Sequence, residues 1–180
     1  MNKLITIVVI LLISNISYSQ LKEDQHFPGV CLGFWVHGSS PTLGINYDYQ
    51  MKQAGIGIFS IGGILRYWRY TQKYSDGDSW DYTNIAFGFQ ANYNFNQIGN
   101  GTFAPYVGLV LGYDNIGTKY TRFETTTGII RHDAIYNSAI QLWVQAGFRY
   151  FFNPRLAGTF RLGLGNLDFS EIELGVDYRF

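Results

Sequence analysis

The chain has 180 residues, with 13 basic and 13 acidic side chains and no net charge. That balance gives no electrostatic case for a nucleic-acid partner or for binding to an anionic membrane surface. Only 14% of residues are charged, against about 25% in soluble domains, while aromatics reach 18% and glycines number 21, a profile that does not fit an ordinary soluble domain.

The first element is the leader "MNKLITIVVILLISNISYSQ". Lys3 precedes an apolar run from Leu4 to Ile13, and small residues follow at Ser17 and Ser19. This is the layout of a secretory signal peptide, 1–19, leaving 20–180 as one domain. The run is too short to be a membrane anchor, since a spanning helix needs roughly 20 residues. No later window approaches that length, and a membrane protein without membrane helices has one alternative, a closed β-barrel. Cys31 lacks the surroundings of a lipid-attachment site and cannot form an internal disulfide, so it is expected as a small buried side chain.

Period-two alternation between turn signals then predicts eight strands. The first, about 30–38, sets Val30, Leu32, Phe34 and Val36 against Cys31, Gly33, Trp35 and His37. The second, 42–51, sets Leu43, Ile45, Tyr47, Tyr49 and Met51 against Gly44, Asn46, Asp48 and Gln50. The third, 55–70, is irregular, and its Gly62-Gly63 pair is read as a bulge. The fourth, 82–95, opposes Ile85, Phe87, Phe89, Ala91, Tyr93 and Phe95 to Asn84, Gln90, Asn92 and Asn94. The fifth, 103–116, opposes Val107, Leu109, Leu111 and Tyr113 to Tyr106, Val110 and Asp114. The sixth, 138–152, carries Ile140, Leu142, Val144, Phe148 and Tyr150 against Gln141, Gln145 and Arg149. The seventh, 156–164, turns Leu156, Phe160, Leu162 and Leu164 away from Thr159 and Arg161; the eighth runs from about Ser170 through "ELGVDYRF".

The connections "SSP" (39–41), "KQA" (52–54) and "NPR" (153–155) are short, while 71–81 and 117–136 are long and polar. Both long ones fall at the same end of an up-and-down sheet, the asymmetry of bacterial transmembrane barrels. Register is consistent too. A turn centred on Pro154 places Arg149 opposite Thr159 and Gly147 opposite Arg161; one near Leu167 places Arg161 opposite Glu173.

A soluble lipocalin-like barrel would turn its apolar faces inward. Here the polar faces carry no lysine, and the apolar faces are too bulky for an eight-stranded interior. Aromatics also gather in two bands: Tyr49, Tyr93, Phe95, Tyr150, Phe152, Tyr178 and Phe180 at the short-turn end, and Tyr70, Trp80, Tyr82, Tyr113 and Tyr120 toward the loops. Two such bands fit the two interfaces of a bilayer, with the apolar faces outward.

The leader, the eight strands and above all the terminal "LGVDYRF" resemble the small eight-stranded outer-membrane barrels of the OmpX and OmpA-barrel type. The resemblance implies an all-β, antiparallel up-and-down transmembrane barrel in the outer membrane of a Gram-negative cell. It implies that Leu174, Val176, Tyr178 and Phe180 form the signal read by the barrel assembly machinery. The chain stops at Phe180, so the peptidoglycan-binding domain that follows the barrel in OmpA-like proteins is not expected. Further expectations are a monomer, contact with outer-membrane lipids including lipopolysaccharide, and an extracellular partner met through loops 71–81 and 117–136.

The polar-face charges Asp48, Arg66, Asp114, Arg149, Arg161, Glu171, Glu173, Asp177 and Arg179 read as a lumen network that satisfies buried charges by pairing. Such side chains would fill the bore, which argues against a wide pore and leaves a narrow channel as an alternative. Another alternative is a lipid A-modifying enzyme resembling the PagP palmitoyltransferases, with His37 on one outer loop, Ser39 and Ser40 after it, and Ser75, Asp76, Asp78 and Ser79 on another. Against it, 20–29 is short for that family's leading helix and contains Pro28, and "HGSS" lacks the deacylase motif of His-x-Ser followed by Asn-Ala. No cofactor, catalytic set or metal site is expected, and His26, His37 and His132 have no ligand spacing.

Overall fold

The structure, a computed structural model, describes residues 21–34, 40–74, 78–96, 101–124, 129–165 and 170–180. The leader, 1–19, therefore lies outside the described residues, as do His37, Ser39, Ser75 and Asp76. Eight strands follow in order: β1 His26–Phe34, β2 Thr42–Ala54, β3 Gly57–Lys73, β4 Ser79–Phe95, β5 Phe103–Glu124, β6 Ile129–Phe151, β7 Leu156–Gly165 and β8 Ser170–Tyr178. Each pairs antiparallel with the next, and β1 pairs with β8, closing a barrel. Closure satisfies every strand's edge, which the hydrocarbon core demands.

Alternation sets the facing. Ile45, Phe59, Phe87, Leu109, Val144 and Val176 point outward and are exposed, Phe89 reaching 77%. Asn46, Asp48, Gln90, Asn92, Gln145 and Arg149 point inward and are buried. The expected register holds: Arg149 opposes Thr159, Gly147 opposes Arg161, and Arg161 opposes Glu173. Cys31 faces inward, free and buried.

Three details differ from the sequence reading. The β2–β3 turn is Gly55-Ile56, with Gly55 at φ 60, so Lys52, Gln53 and Ala54 belong to the strand. The bulge lies on β2 between Gln50 and Lys52, while Gly62 and Gly63 sit in unbroken register opposite Asp48 and Tyr47. Third, 71–81 and 117–136 are mostly paired strand. The β3–β4 ladder runs to Lys73↔Ser79 and β5–β6 to Glu124↔Ile129.

The rim at that end is therefore lopsided. The β1–β2 pairing ends at Gly33↔Thr42 and the β7–β8 pairing at Leu164↔Ser170. The β3–β6 strands rise beyond that level as a four-stranded blade. Among the described residues its flanks lack sheet neighbours: β2 pairs with β3 only as far as Tyr67, and β7 pairs with β6 only from Trp143.

At the opposite end the chain is clasped. Phe180 N donates to His26 O at 3.0 Å, and Arg179 N donates to Arg155 O at 2.6 Å. Leu21 and Asn96 exchange two hydrogen bonds of 2.9 and 2.8 Å. In the β6–β7 turn, Asn153 Oδ1 accepts from Arg155 N and Leu156 N at 2.8 and 2.9 Å, an Asx-type closure.

Candidate functional site: the filled lumen and the outer blade

The lumen is built in layers. Toward the clasped end, Leu21, Phe27, Ile58, Ala104, Phe151 and Ala157 form an apolar plug. Toward the blade, Ile64, Val110 and Trp143 form a second. Beside them the lumen holds two ion triads of opposite composition.

In one triad, the Arg149 guanidinium bridges Asp48 and, from Nε at 2.7 Å, Asp177. In the other, Glu173 receives Arg66 and, at 3.0 Å, Arg161. One triad is net negative and the other net positive, so the layer as a whole balances, as buried charge requires. Tyr106 joins them: its ring lies 5.2 Å under Arg149, and its hydroxyl accepts from Arg161 Nε at 3.1 Å. Phe27 takes Arg149 from another side at 5.0 Å.

Amides complete the network. Asn46 Oδ1 accepts from Arg66 at 2.6 Å and from Arg161 at 3.1 Å. Asp48 accepts from Gln90 and Asn92, each at 3.0 Å, and Asn94 accepts from Arg149 at 2.9 Å. Gln145 donates to Gln90 and Asn92 at 3.0 and 2.6 Å. Sequence reasoning named the charges and missed these amides as members, although their placement on polar faces was the available signal.

Three of the expected network residues stand apart from the triads. Asp114 is buried on β5 opposite Ala86 and Ala139. Glu171 borders a void of about 20 Å³ shared with Arg66, Arg161 and Glu173. Arg179 lies past the end of β8, half-buried, with its guanidinium 5.2 Å from the Phe151 ring. It caps the plug from outside the lumen, because the strand has already ended at Tyr178.

The blade presents a distinct inner face. Tyr70 opposes Tyr82, and Trp80 opposes Tyr120, all on the parity that faces the barrel axis lower down. Tyr82 stacks on Tyr70 and Trp80 at 6.2 Å, and Trp80 meets Tyr120 at 4.7 Å. These four were expected at the lipid interface; the strand alternation continues unbroken to their level and turns them inward instead. Tyr67, Tyr113 and Tyr136 take the outward positions at that level. With Trp68, Gln72, Ile116, Thr118, Ile135 and Asn137, Tyr70, Trp80 and Tyr82 line a cavity of about 590 Å³.

Of the residues considered for lipid A chemistry, Ser40, Asp78 and Ser79 are described. Asp78 accepts a hydrogen bond from Tyr120 Oη, a tie within the blade. Among the described residues, no group of three or more His, Cys, Asp and Glu side chains is placed to hold a metal ion.

An all-β closed ring of eight antiparallel strands with outward apolar faces and a filled polar lumen is the fold shared by the small eight-stranded outer-membrane barrels. Solved structures of that fold match most of the chain. The N-terminal β-barrel domain of Pseudomonas aeruginosa OprF aligns at TM-score 0.56 and 16% identity, covering 88% of this chain and 98% of that one. Ail, the attachment invasion locus protein of Yersinia pestis, solved with the heparin analogue sucrose octasulfate, aligns at 0.54 and 14%, covering 87% and 96%. Neisserial surface protein A aligns at 0.51 and 16%, covering 87% and 95%. No protein-family model matches the chain, and no curated protein matches it in sequence.

Proposed function

We propose that this barrel is a surface-interaction protein, anchored by its strands and engaging an extracellular partner through the β3–β6 blade. The single observation that carries this reading is the lopsided rim. Half the barrel extends well past the other half, with two flanks that have no sheet neighbour among the described residues and a concave face of aromatic side chains. Extended strands with open flanks are a liability unless used or protected, and aromatic surfaces with polar surroundings suit recognition. The filled lumen supports a non-catalytic, non-conducting role. On this reading the chain is a monomer set among outer-membrane lipids, including lipopolysaccharide. It is inserted by an assembly machinery that reads Leu174, Val176, Tyr178 and Phe180.

The test replaces 69–81 and 117–136 by short turns. The shortened protein still runs faster on a gel unheated than boiled, since the barrel closes without the blade. Cells expressing the full chain attach to a surface or to other cells, and cells expressing the shortened form do not. Equal attachment by both would overturn the proposal.

A further inference from the structure

We propose that the outer wall of the barrel carries a seat for one phospholipid of the clasped-end leaflet. One acyl chain lies in a groove at Gly63, and an amine-bearing headgroup meets Asp24 and His26. The inference rests on the transmembrane reading of the fold and is independent of the role assigned to the blade.

The groove has a volume of about 1190 Å³ and opens on the lipid-facing side. Its floor is Gly63, at an outward position between Ile61 and Leu65 in a belt that is otherwise bulky. Tyr47 and Phe89, its register partners on β2 and β4, are its walls. Packing does not demand a glycine there. A methyl built on Gly63 would meet only Gly88 O at an ordinary 3.6 Å, and its φ is not positive. At adjacent Gly62 the same methyl would fall 1.8 Å from Tyr47 O. Gly62 is thus required by the backbone, whereas the missing side chain at 63 serves only to leave space.

That space runs on past Ala91 to Leu109, Leu111 and Leu142. From β2 to β6 it crosses four inter-strand steps of about 4.8 Å, or roughly 19 Å. With strands tilted about 45°, this cross-strand path descends roughly 14 Å into a leaflet about 15 Å deep, so the groove holds one acyl chain along its length. At the mouth the chemistry changes. Tyr49 Oη donates to Asp24 Oδ1 at 2.6 Å, and His26 Nδ1 lies 2.6 Å from Tyr47 Oη, which leaves its Nε2 for a phosphate oxygen. The exposed Asp24 carboxylate favours an ammonium and repels a purely anionic headgroup. A second barrel is a poor occupant, because its convex wall cannot enter a groove floored by one glycine.

The experiment uses the full-length protein in nanodiscs of equal phosphatidylethanolamine and phosphatidylglycerol, released into mild detergent and weighed by native mass spectrometry. Wild type should retain one phosphatidylethanolamine in preference to phosphatidylglycerol. Gly63→Leu should lower the retained fraction by on the order of tenfold while gel mobility still reports a folded barrel. Asp24→Asn should keep a lipid but lose the headgroup preference. Equal retention by wild type and Gly63→Leu would overturn the proposal. So would retention of both lipids alike by wild type, or loss of a protein dimer in place of a lipid. A chain that never enters nanodiscs would overturn the transmembrane reading and this inference with it.

Discussion

Arg161 stands directly opposite Glu173 on the neighbouring strand, and its Nη1 reaches the carboxylate at 3.0 Å. The same carboxylate is held from across the lumen by Arg66. Arg161→Ala therefore leaves Glu173 with one partner, and its cost should fall below the 3–5 kcal/mol, about, of stranding a buried charge completely. Arg66→Ala together with Arg161→Ala should exceed the sum of the two singles, because only the pair of changes orphans the carboxylate. Denaturant unfolding in lipid vesicles measures this, and strict additivity would show that the two cations do not share Glu173.

Arg149 should be the most sensitive residue of the lumen. Its removal strands Asp48 and Asp177 together, next to each other and away from water. Arg149→Ala should cost about 3 kcal/mol or more. Adding Asp48→Asn and Asp177→Asn should recover part of that by removing the uncompensated charge. Unfolding midpoints of the single and triple variants decide it: equal midpoints would mean the guanidinium acts through packing alone.

Adjacent glycines should respond oppositely. Gly62→Ala drives a methyl into the Tyr47 carbonyl and should impair folding, whereas Gly63→Ala adds only an ordinary contact and should be neutral in stability. The fraction of faster-running folded species on unheated gels reports both. Equal tolerance at the two positions would contradict this geometry.

Deletion of Phe180 removes the hydrogen bond to His26 O and the ring that lies 4.7 Å from Tyr178. The truncated chain should be exported yet inserted poorly, measured as a reduced outer-membrane fraction against an unchanged total. Full insertion would refute the role assigned to the terminus.

Purified protein in planar bilayers should give no conductance steps, because two apolar clusters and two ion triads fill the lumen and the void beside Glu171 is about 20 Å³. The same preparation should leave lipid A mass unchanged. Stable single-channel steps, or a mass shift, would revive the channel or the enzyme respectively.

The barrel was legible in the sequence because lipid on one side and a packed lumen on the other impose a strict period of two. From Ile85 to Phe95 and from Glu173 to Tyr178 no other pattern competes. Register followed from turn centres at Pro154 and near Leu167. Above the bilayer both faces of a strand meet water, the alternation fades, and 117–136 reads as loop although 117–124 and 129–136 are paired strand. The misplaced aromatic band has a different origin: Tyr70, Trp80, Tyr82 and Tyr120 lie at the height of an interface band but share the inward parity of Arg66, Asn84 and Asp114. The bulge at Met51 left no glycine to betray it, whereas Gly62-Gly63 advertised one that is absent. The triads join residues from five strands, β2 and β6 with β8, and β3 and β7 with β8 again in the second set, plus bridging Tyr106 from β5. No local spacing encodes such crossings.

The tall β3–β6 side and the low β7–β2 side also give the molecule a heading in the plane of the membrane. A smooth cylinder looks the same to neighbours from every direction. This one does not: a crowded neighbour can bring its own headpiece in over the low side but meets a wall on the other. The groove at Gly63 runs under that walled half from a mouth at Asp24, His26, Tyr47 and Tyr49 near the seam with the low side. Rotation about the membrane normal therefore decides what the raised half of this protein meets.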